Sequence, residues 1–285
     1  MSVSQGKINF FQKTVWDYYA ASGRENLPWR KKINPYKVWV SEIMLQQTQV
    51  DRVIPFFTAW MQSFPTIQKL ADAPQTEILK HWKGLGYNSR ALRMKQAAQV
   101  IIKKYDGKFP QGYDDLINLP GVGPYTAGAI CAFAYNQPVV IIETNIRRVI
   151  IHHFFDDRKN IHDKEILEII IKTLDQKNPR QWYWALMDYG SYLGKELKSH
   201  GKKYNPNVQS RHYTKQKTFK GSDRQIRGKI LEILLAQKKH VILFNPLFKK
   251  LEGLSDNHDR IEVIVDQLEK ENFIVVKNQK IQLKK

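Results

Sequence analysis

Apolar residues recur at the spacing of an amphipathic helix in successive segments between residues 9 and 193, and Pro or Gly separates most of the segments. This alternation constrains the fold more than any other feature, because it leaves little room for strands in that part of the chain. The segments are residues 9–19, 38–61, 75–83, 89–105, 113–118, 125–133, 145–155, 163–173 and 180–193. We therefore predict an all-α body over residues 1–194.

The composition changes after this body. Lys and Arg crowd residues 195–220 together with Gly, Pro and Asn, which predicts an exposed basic linker that tracks phosphates or, alternatively, a solvated tether. Residues 223–236 and 258–271 then have helical periodicity, and alternating apolar residues at 273–276 and 280–283 flank an Asn278-Gln279 turn. Helices that end in a hairpin indicate a small winged-helix-like α/β module over residues 221–285.

The charge of the chain indicates an acidic partner. Lys and Arg number 46 against 27 Asp and Glu, a formal net charge of +19. Cations at phosphates release condensed counterions, so nucleic acid suits this excess, as does an acidic membrane surface. No apolar run reaches the roughly 20 residues that a membrane span needs. Residues 1–7 lack the apolar centre of a signal peptide, so we expect a cytoplasmic protein without a membrane partner.

Cys131 is the single cysteine and lies in the apolar stretch 127–134. One cysteine excludes a disulfide within the chain and a site of four thiolates for zinc or an iron–sulfur cluster. No His lies near it in sequence, so we interpret Cys131 as a small core residue and expect no metal or other cofactor.

Two glycines lie one residue apart in the string LPGVGPYTAG, residues 119–128. Glycine permits a left-handed backbone and the close approach of another molecule. The amides that open the following helix form an anion site. We interpret Gly121, Val122 and Gly123 as a hairpin that grips a phosphate backbone without reading its sequence, with an ordinary interhelical turn as the alternative.

Glu42 lies among apolar residues in the string SEIMLQQTQV, residues 41–50, which follows LPWR at residues 27–30. A carboxyl group in apolar surroundings has a raised pKa, which suits a general acid. Periodicity alone favours a surface acid on an amphipathic helix, so the pattern leaves both interpretations open.

Two further strings place polar groups at turns and helix ends. GLGYNSRA, residues 84–91, is a glycine turn with Tyr87 at its tip, and IIETNIRRV, residues 141–149, has Glu143 at a helix entrance. A rigid aromatic side chain can fill a gap in a stack of bases, although Tyr87 also suits a half-buried turn. Capping of the helix that follows would by itself explain an acidic residue at position 143.

Together these strings resemble the helix-hairpin-helix (HhH-GPD) DNA glycosylases of base excision repair, and in particular the MutY-type adenine glycosylases, over residues 27–190. The resemblance implies a two-lobed helical HhH-GPD glycosylase body. It also implies an enzyme that extrudes a base from duplex DNA and hydrolyses its glycosidic bond.

The resemblance also implies roles for the residues that match. Glu42 would be the general acid, protonating adenine at N7 and then activating water, and Glu143 would stabilise the positive charge that develops on the sugar. The other implied residues are Tyr125 and Asn145 in catalysis, Trp29, Arg30 and Asp188 at the base, and Gln46, Gln47, Thr48, Leu85, Gly86, Tyr87, Arg90, Gly121, Val122 and Gly123 at the DNA.

The chain departs from the family at several places. Glu143 stands where the family has Asp, so we expect the charge to be retained and the Asp capping geometry to be lost. Tyr125 stands where bifunctional relatives resembling endonuclease III carry a Lys nucleophile, so we expect base removal without strong strand cleavage. The four-Cys iron–sulfur loop is absent, and residues 195–220 would replace its contribution to DNA binding. Residues 221–285 are too short and too helical for the Nudix-like domain of MutY proteins.

The expected partner is double-stranded DNA with a mismatched or damaged base pair, and the expected substrate is adenine opposite 8-oxoguanine or G. We expect the protein to be a monomer associated with the nucleoid. One alternative is a glycosylase for thymine or uracil opposite G. A second is a non-catalytic DNA-binding protein on the same scaffold, and a third is a basic protein at a membrane surface.

Overall fold

The computed structural model describes residues 3–199, 205–215 and 218–284. The helices of residues 3–199 are α1 (Gln5–Ser22), α2 (Pro35–Leu45), α3 (Val50–Ser63), α4 (Ile67–Asp72), α5 (Gln75–Trp82), α6 (Ser89–Tyr105), α7 (Tyr113–Ile117), α8 (Pro124–Tyr135), α9 (Thr144–Phe154), α10 (Asp163–Thr173) and α11 (Pro179–Ser199). A short 3₁₀ helix, Pro206–Gln209, follows. The remaining elements are α12 (Asp223–Ala236), β1 (Val241–Leu243), α13 (Phe244–Leu251), α14 (His258–Lys270), β2 (Ile274–Lys277) and β3 (Lys280–Leu283).

The chain forms two compact units, each made of two separate stretches. The first unit comprises Met1–Glu42 and Pro110–Lys215, and the second comprises Ile43–Phe109 and Gln216–Lys285. Glu42, the last residue of the first stretch, lies on α2.

The first unit is an all-helical body around α9 and α11. Phe11 of α1 meets Phe154 of α9 and Trp182 of α11 edge to face, with ring centroids 5.0 Å and 5.9 Å apart. At Gly190 the helices approach so closely that a Cβ would lie 2.5 Å from the Asn145 carbonyl oxygen. Glycine is therefore required there by packing, and the contact fixes the N-terminal end of α9.

The second unit joins helices α3–α6 to the C-terminal module. Leu79 and Leu92 belong to the same buried cluster as Ile226 and Ile230 of α12, so the two stretches share one apolar core. The module ends in an antiparallel sheet of order β1-β3-β2. Its hairpin turn consists of Asn278 and Gln279, with φ of 48° and 61°, as a two-residue hairpin turn of the type I′ class requires.

The predicted all-α body with a small C-terminal α/β module is confirmed. Several boundaries were wrong. Residues 38–61, predicted as one helical segment, form α2 and α3, because Gln47 adopts a left-handed φ of 57° between them. Periodicity did not predict α4, β1 and α13, because these elements are only three to eight residues long.

The prediction of an exposed linker is wrong for the described segment around Pro206–Gln209. Pro206, Asn207 and Gln209 are buried. Ile161 exchanges backbone hydrogen bonds with this segment, donating to Gln209 O and accepting from Arg211 N at 3.0 Å each. Lys202, Lys203 and Lys217 lie outside the described residues. The boundaries at 194 and 220, and contact of this segment with phosphates, stay predictions.

Within the part of the chain that the structure describes, no helix is long and apolar enough to span a membrane. The same residues contain no group of three or more His, Cys, Asp or Glu side chains placed to hold a metal ion.

Candidate active site

The buried Glu42 and the half-buried Tyr125 form a hydrogen-bonded pair in the first unit. Glu42 lies on α2 with 5% of its surface exposed, and Tyr125 lies in the first turn of α8. The Tyr125 hydroxyl donates to Glu42 Oε2 over 2.7 Å. Because Oε2 accepts this bond, Oε1 is the oxygen on which a transferable proton would reside.

The surroundings of Glu42 tune its acidity to neutral pH. Burial raises the pKa of Glu42 to about 7, and the negative charge of Glu143 adds to the shift. The hydrogen bond from Tyr125 and the charge of Arg30 act in the opposite direction. A carboxyl group with such a pKa is available as an acid and, after giving up its proton, as a base.

Glu143 caps α9, which corrects the expectation that the capping geometry of Asp is lost. Its Oε1 accepts from the backbone amides of Asn145 (2.7 Å) and Ile146 (2.8 Å), the positions that a shorter Asp cap would serve. Burial raises the pKa of Glu143, whereas the two amides and the charges of Arg148 and Arg147 stabilise its carboxylate. The longer arm thus bends back to the helix end and keeps the negative charge at a fixed position.

Asn145 links this carboxylate to the helix pair behind it. Its Nδ2 donates to Glu143 Oε2 (3.3 Å), and its Oδ1 accepts from Arg148 Nη1 (2.7 Å). The same guanidinium nitrogen donates to the Gly190 carbonyl of α11 at 2.7 Å. The chain of hydrogen bonds makes Asn145 a positioning residue for Glu143.

Arg30 and Asp188 pair with each other. Arg30 Nη1 and Nη2 donate to the two oxygens of Asp188 at 2.7 Å and 2.9 Å, and Arg24 donates to them through N and Nε at 2.8 Å each. Burial acts to raise the pKa of Asp188, but the two guanidinium groups outweigh it and keep that pKa below its ordinary value. Four donors occupy the acceptor positions of one carboxylate. Direct contact of Asp188 with a base stays a prediction, and its observed role is to hold Arg30.

The base-pocket prediction omitted an aromatic neighbour of Arg30. The Arg30 guanidinium lies 4.9 Å from the ring centroid of Trp184, one helical turn before Asp188 on α11. Both Trp184 and the predicted Trp29 are largely buried, at 9% and 6% exposure. Helical spacing from Asp188 was the one sequence signal that could have indicated Trp184.

Asn207 is a second supporting residue that the sequence did not predict. This buried residue donates through Nδ2 to the Thr144 carbonyl oxygen (3.1 Å), next to Glu143. The 3₁₀ helix thereby braces the N-terminal end of α9. Its position 63 residues from Thr144 explains why no local pattern indicated it.

The glycine turn between α7 and α8 has the predicted geometry for approach of a backbone. Gly121 is exposed with φ of 77°, whereas Val122 is buried. Gly123 is the N-cap of α8 without a side-chain cap, and a Cβ added to it would meet nothing within 4 Å. The positive end of α8 is therefore accessible to an anion.

The other predicted DNA contacts lie in the second unit, on two loops. Gln47 and Tyr87 both adopt left-handed φ values, 57° and 47°, which side chains rarely tolerate unless the surroundings impose them. Gln47 and Tyr87 are exposed, Gln46 and Thr48 are half-buried, and Leu85 is buried. The two strained positions thus present their side chains to the surface.

Arg90, predicted to contact DNA, instead connects these two loops. Its guanidinium donates to the carbonyl oxygens of Ile43 (2.6 Å) and Gln46 (2.9 Å) and to that of Gly86 (3.0 Å). It also lies 5.7 Å from the Tyr87 ring centroid. Contact with DNA stays a prediction, and the geometry makes Arg90 a positioning residue for both loops.

An iron–sulfur cluster held by four thiolates does not fit this chain. The sequence contains one cysteine, Cys131, which is buried within α8 and donates weakly to the Gln111 carbonyl oxygen at 3.8 Å.

Comparisons with known proteins agree with this architecture. Residues 40–175 match the model of the HhH-GPD superfamily of base excision DNA repair proteins. An adenine DNA glycosylase of Buchnera aphidicola subsp. Baizongia pistaciae is 41% identical over 187 residues, which cover 64% of this chain and 52% of that protein. The adenine DNA glycosylase of Mycolicibacterium smegmatis is 35% identical over 224 residues, covering 74% of this chain and 76% of the relative.

The fold of this chain is also similar to that of a solved structure. A thermostable thymine-DNA glycosylase superposes with a TM-score of 0.59 and 26% identity, covering 65% of this chain and 87% of that one. The chain spans about half the length of the Buchnera relative and three quarters of the mycobacterial one.

Proposed function

Because the chain belongs to the HhH-GPD superfamily of base excision DNA repair proteins, we propose that it is a monofunctional DNA glycosylase that removes adenine mispaired with 8-oxoguanine or G. The observation that carries this proposal is the buried Glu42, bonded to Tyr125 and with its pKa raised to about 7. Relatives named adenine DNA glycosylase support the choice of adenine.

In the proposed reaction Glu42 acts first as an acid. Its proton on Oε1 passes to N7 of the extruded adenine, so that the base leaves with the electron pair of the C1′–N9 bond. The sugar is left as an oxocarbenium ion, and the carboxylate of Glu143 stabilises its charge. Water adds to C1′ and gives a proton back to Glu42, which restores the acid and leaves an abasic site. Tyr125 keeps Glu42 oriented throughout.

The proposed partner is duplex DNA, and what supports it is the combination of charge and the turn before α8. The formal charge of +19 favours binding to phosphates. The uncapped amides at Gly123 suit a phosphate at the positive end of the helix. Such contacts position the duplex without selecting a sequence.

A second candidate is removal of thymine or uracil opposite G. The structural similarity to a thermostable thymine-DNA glycosylase favours it. These bases lack N7, so Glu42 would then act on water or on a carbonyl oxygen of the base rather than on N7.

Single-turnover base release separates these candidates. The duplexes would contain A opposite 8-oxoguanine, A opposite G, and T or U opposite G, with alkali added afterwards to cut abasic sites. We expect release of adenine, and no strand cleavage before alkali. Release of thymine or uracil alone would reject adenine as the substrate. Binding to every duplex with no release would favour the non-catalytic alternative.

The pH dependence of base release tests the role of Glu42. Its acid form predominates below its pKa of about 7 and declines above it. We therefore expect a single-turnover rate constant that is level at low pH and falls about tenfold per unit above that pKa. The measurement is the rate constant between pH 5 and pH 9, with saturating protein at each pH, so that weaker binding does not contribute. A rate that rises through neutral pH would contradict the acid role.

A further inference from the structure

The hairpin of β2 and β3, in the second unit, has a buried face and a face that points to solvent. Ile281 and Leu283 of β3 are buried, whereas the alternate residues Lys280 and Gln282 are exposed. This alternation follows from the strand, because successive side chains point to opposite faces of a sheet. The outer face of the hairpin is therefore available to another molecule.

Two lysines lie opposite each other on this outer face. Lys277 of β2 and Lys280 of β3 are partners in the strand register, directly beside the turn. Like charges in such a pair are unfavourable. On its other side Lys280 pairs with Leu243 of β1, which carries no charge to offset the repulsion. The chain thus accepts a repulsive pair at an exposed end of its sheet.

The charge of the hairpin is not neutralised within the part of the chain that the structure describes. Neither Lys277 nor Lys280 forms an ion pair with a described residue, whereas Arg227 of the same module pairs with Glu271 at 2.6 Å. Residues 277–285 contain four Lys and no Asp or Glu. An anion from outside the chain therefore suits the hairpin.

The turn between the two lysines carries amide side chains. Asn278 and Gln279 are exposed, and both have a left-handed φ. Gly is favoured in such turns, and a side chain as long as that of Gln rarely adopts this conformation. Residues 277–280 thus present two ammonium groups and two amides, all of which can donate to phosphate oxygens.

The helix that precedes the hairpin has the opposite electrostatic character. The exposed side chains of α14 include Asp259, Glu262 and Asp266, which follow one another at helical spacing on one face. Three carboxylates repel a polyanion. Of these two elements of the C-terminal module, the hairpin is the one that suits phosphates.

We propose that the β2–β3 hairpin grips the phosphate backbone of duplex DNA through Lys277 and Lys280, with the amides of Asn278 and Gln279 donating beside them. The inference rests on the proposed function for its partner, and it adds a contact outside the unit that contains Glu42. Contacts to phosphates carry no sequence information. The hairpin therefore holds the protein on paired and mispaired DNA alike.

Removing both charges tests this proposal. Lys277→Gln combined with Lys280→Gln removes two cations and keeps polar side chains. Lys249→Gln combined with Lys250→Gln is the matched control, because these exposed lysines of α13 belong to the same module and their loss changes the net charge equally. The probes are a fully paired duplex and one with 2′-fluoro-2′-deoxyadenosine opposite 8-oxoguanine, whose glycosidic bond resists hydrolysis.

Fluorescence anisotropy at several salt concentrations gives Kd for each duplex. We expect the hairpin variant to bind both duplexes about tenfold more weakly, with the slope of log Kd against log salt concentration reduced by about two. The control variant should stay within about twofold of wild type. Lys277→Arg combined with Lys280→Arg keeps the charge and should bind both duplexes as wild type does.

Unchanged binding by the hairpin variant would overturn the proposal. An equal loss in the control variant would do the same, because net charge would then be the cause, and so would a loss confined to the mispaired duplex. Hairpin-dependent binding to vesicles of anionic phospholipid, with duplex binding unchanged, would assign the surface to a membrane instead. If circular dichroism shows that the double variant is unfolded, Lys280→Gln alone should weaken binding to both duplexes about threefold and reduce the slope by about one.

These assays do not measure base release, so the two proposals fail separately. Hairpin-dependent duplex binding by a wild type that releases no base would reject the proposed function and keep the hairpin contact. Base release by a wild type whose duplex binding is insensitive to the hairpin would reject the hairpin contact alone.

Discussion

Glu42→Gln should lower single-turnover base release by about 100- to 10,000-fold, the contribution typical of a positioned general acid. Gln has the shape of Glu and its carbonyl oxygen can still accept from the Tyr125 hydroxyl, which lies 2.7 Å from Glu42 Oε2. It has no acidic proton to give to the base. Binding to the mispaired duplex should stay near that of wild type, because phosphate contacts supply most of the affinity. Single-turnover release and fluorescence anisotropy measure the two quantities.

Ser41→Ala is the matched control for this variant. Ser41 is adjacent on α2 and equally buried, and its hydroxyl donates to the Val38 carbonyl oxygen at 2.8 Å. Its loss perturbs the same helix without removing a proton donor from the reaction, so turnover should be largely retained. Release by Glu42→Gln at the wild-type rate would contradict the acid assignment, as would an equal loss in both variants.

The local sequence predicted the acid because the string around Glu42 is distinctive, whereas periodicity alone favoured a surface position. The structure places Glu42 at 5% exposure, since Tyr125 satisfies one of its oxygens within the first unit. The supporting residues could not be predicted in the same way. Arg24 lies 164 residues from its partner Asp188, and neither residue's neighbours indicate that contact.

The difference between local sequence patterns and long-range contacts also explains which elements were predicted correctly. The bounds of α6 agree with the prediction because its apolar spacing is regular and glycines stand near both ends. The break between α2 and α3 contains neither Gly nor Pro, and the left-handed Gln47 is held by long-range bonds from Arg90 to carbonyl oxygens at the end of α2. A backbone conformation that distant side chains impose leaves no local signal. The buried segment around Asn207 was not predicted for the same reason, because the side-chain amides of Asn207 and Gln209 donate to distant backbone carbonyl oxygens in the first unit.

Substitutions at Glu143 separate its charge from the length of its arm. In the structure Glu143 Oε1 accepts from two backbone amides at the start of α9, so the carboxylate has a fixed position. Gln keeps an acceptor oxygen and the arm but loses the charge. If that charge stabilises the oxocarbenium ion, Glu143→Gln should release adenine about 100- to 1,000-fold more slowly, the usual effect of removing one electrostatic contact to a transition state.

Glu143→Asp is the matched comparison, because it keeps the charge and Asp is a preferred N-cap. We expect its release rate to fall by less than that of Gln, and its free energy of unfolding to stay within about 1 kcal/mol of wild type. Single-turnover rates and urea denaturation measure both effects. If Gln were as active as Glu, the charge would play no part in the chemistry and Glu143 would be only a helix cap. If Asp and Gln were equally slow, both the charge and the length of the arm would be required, because Gln keeps the arm without the charge and Asp keeps the charge on a shorter arm.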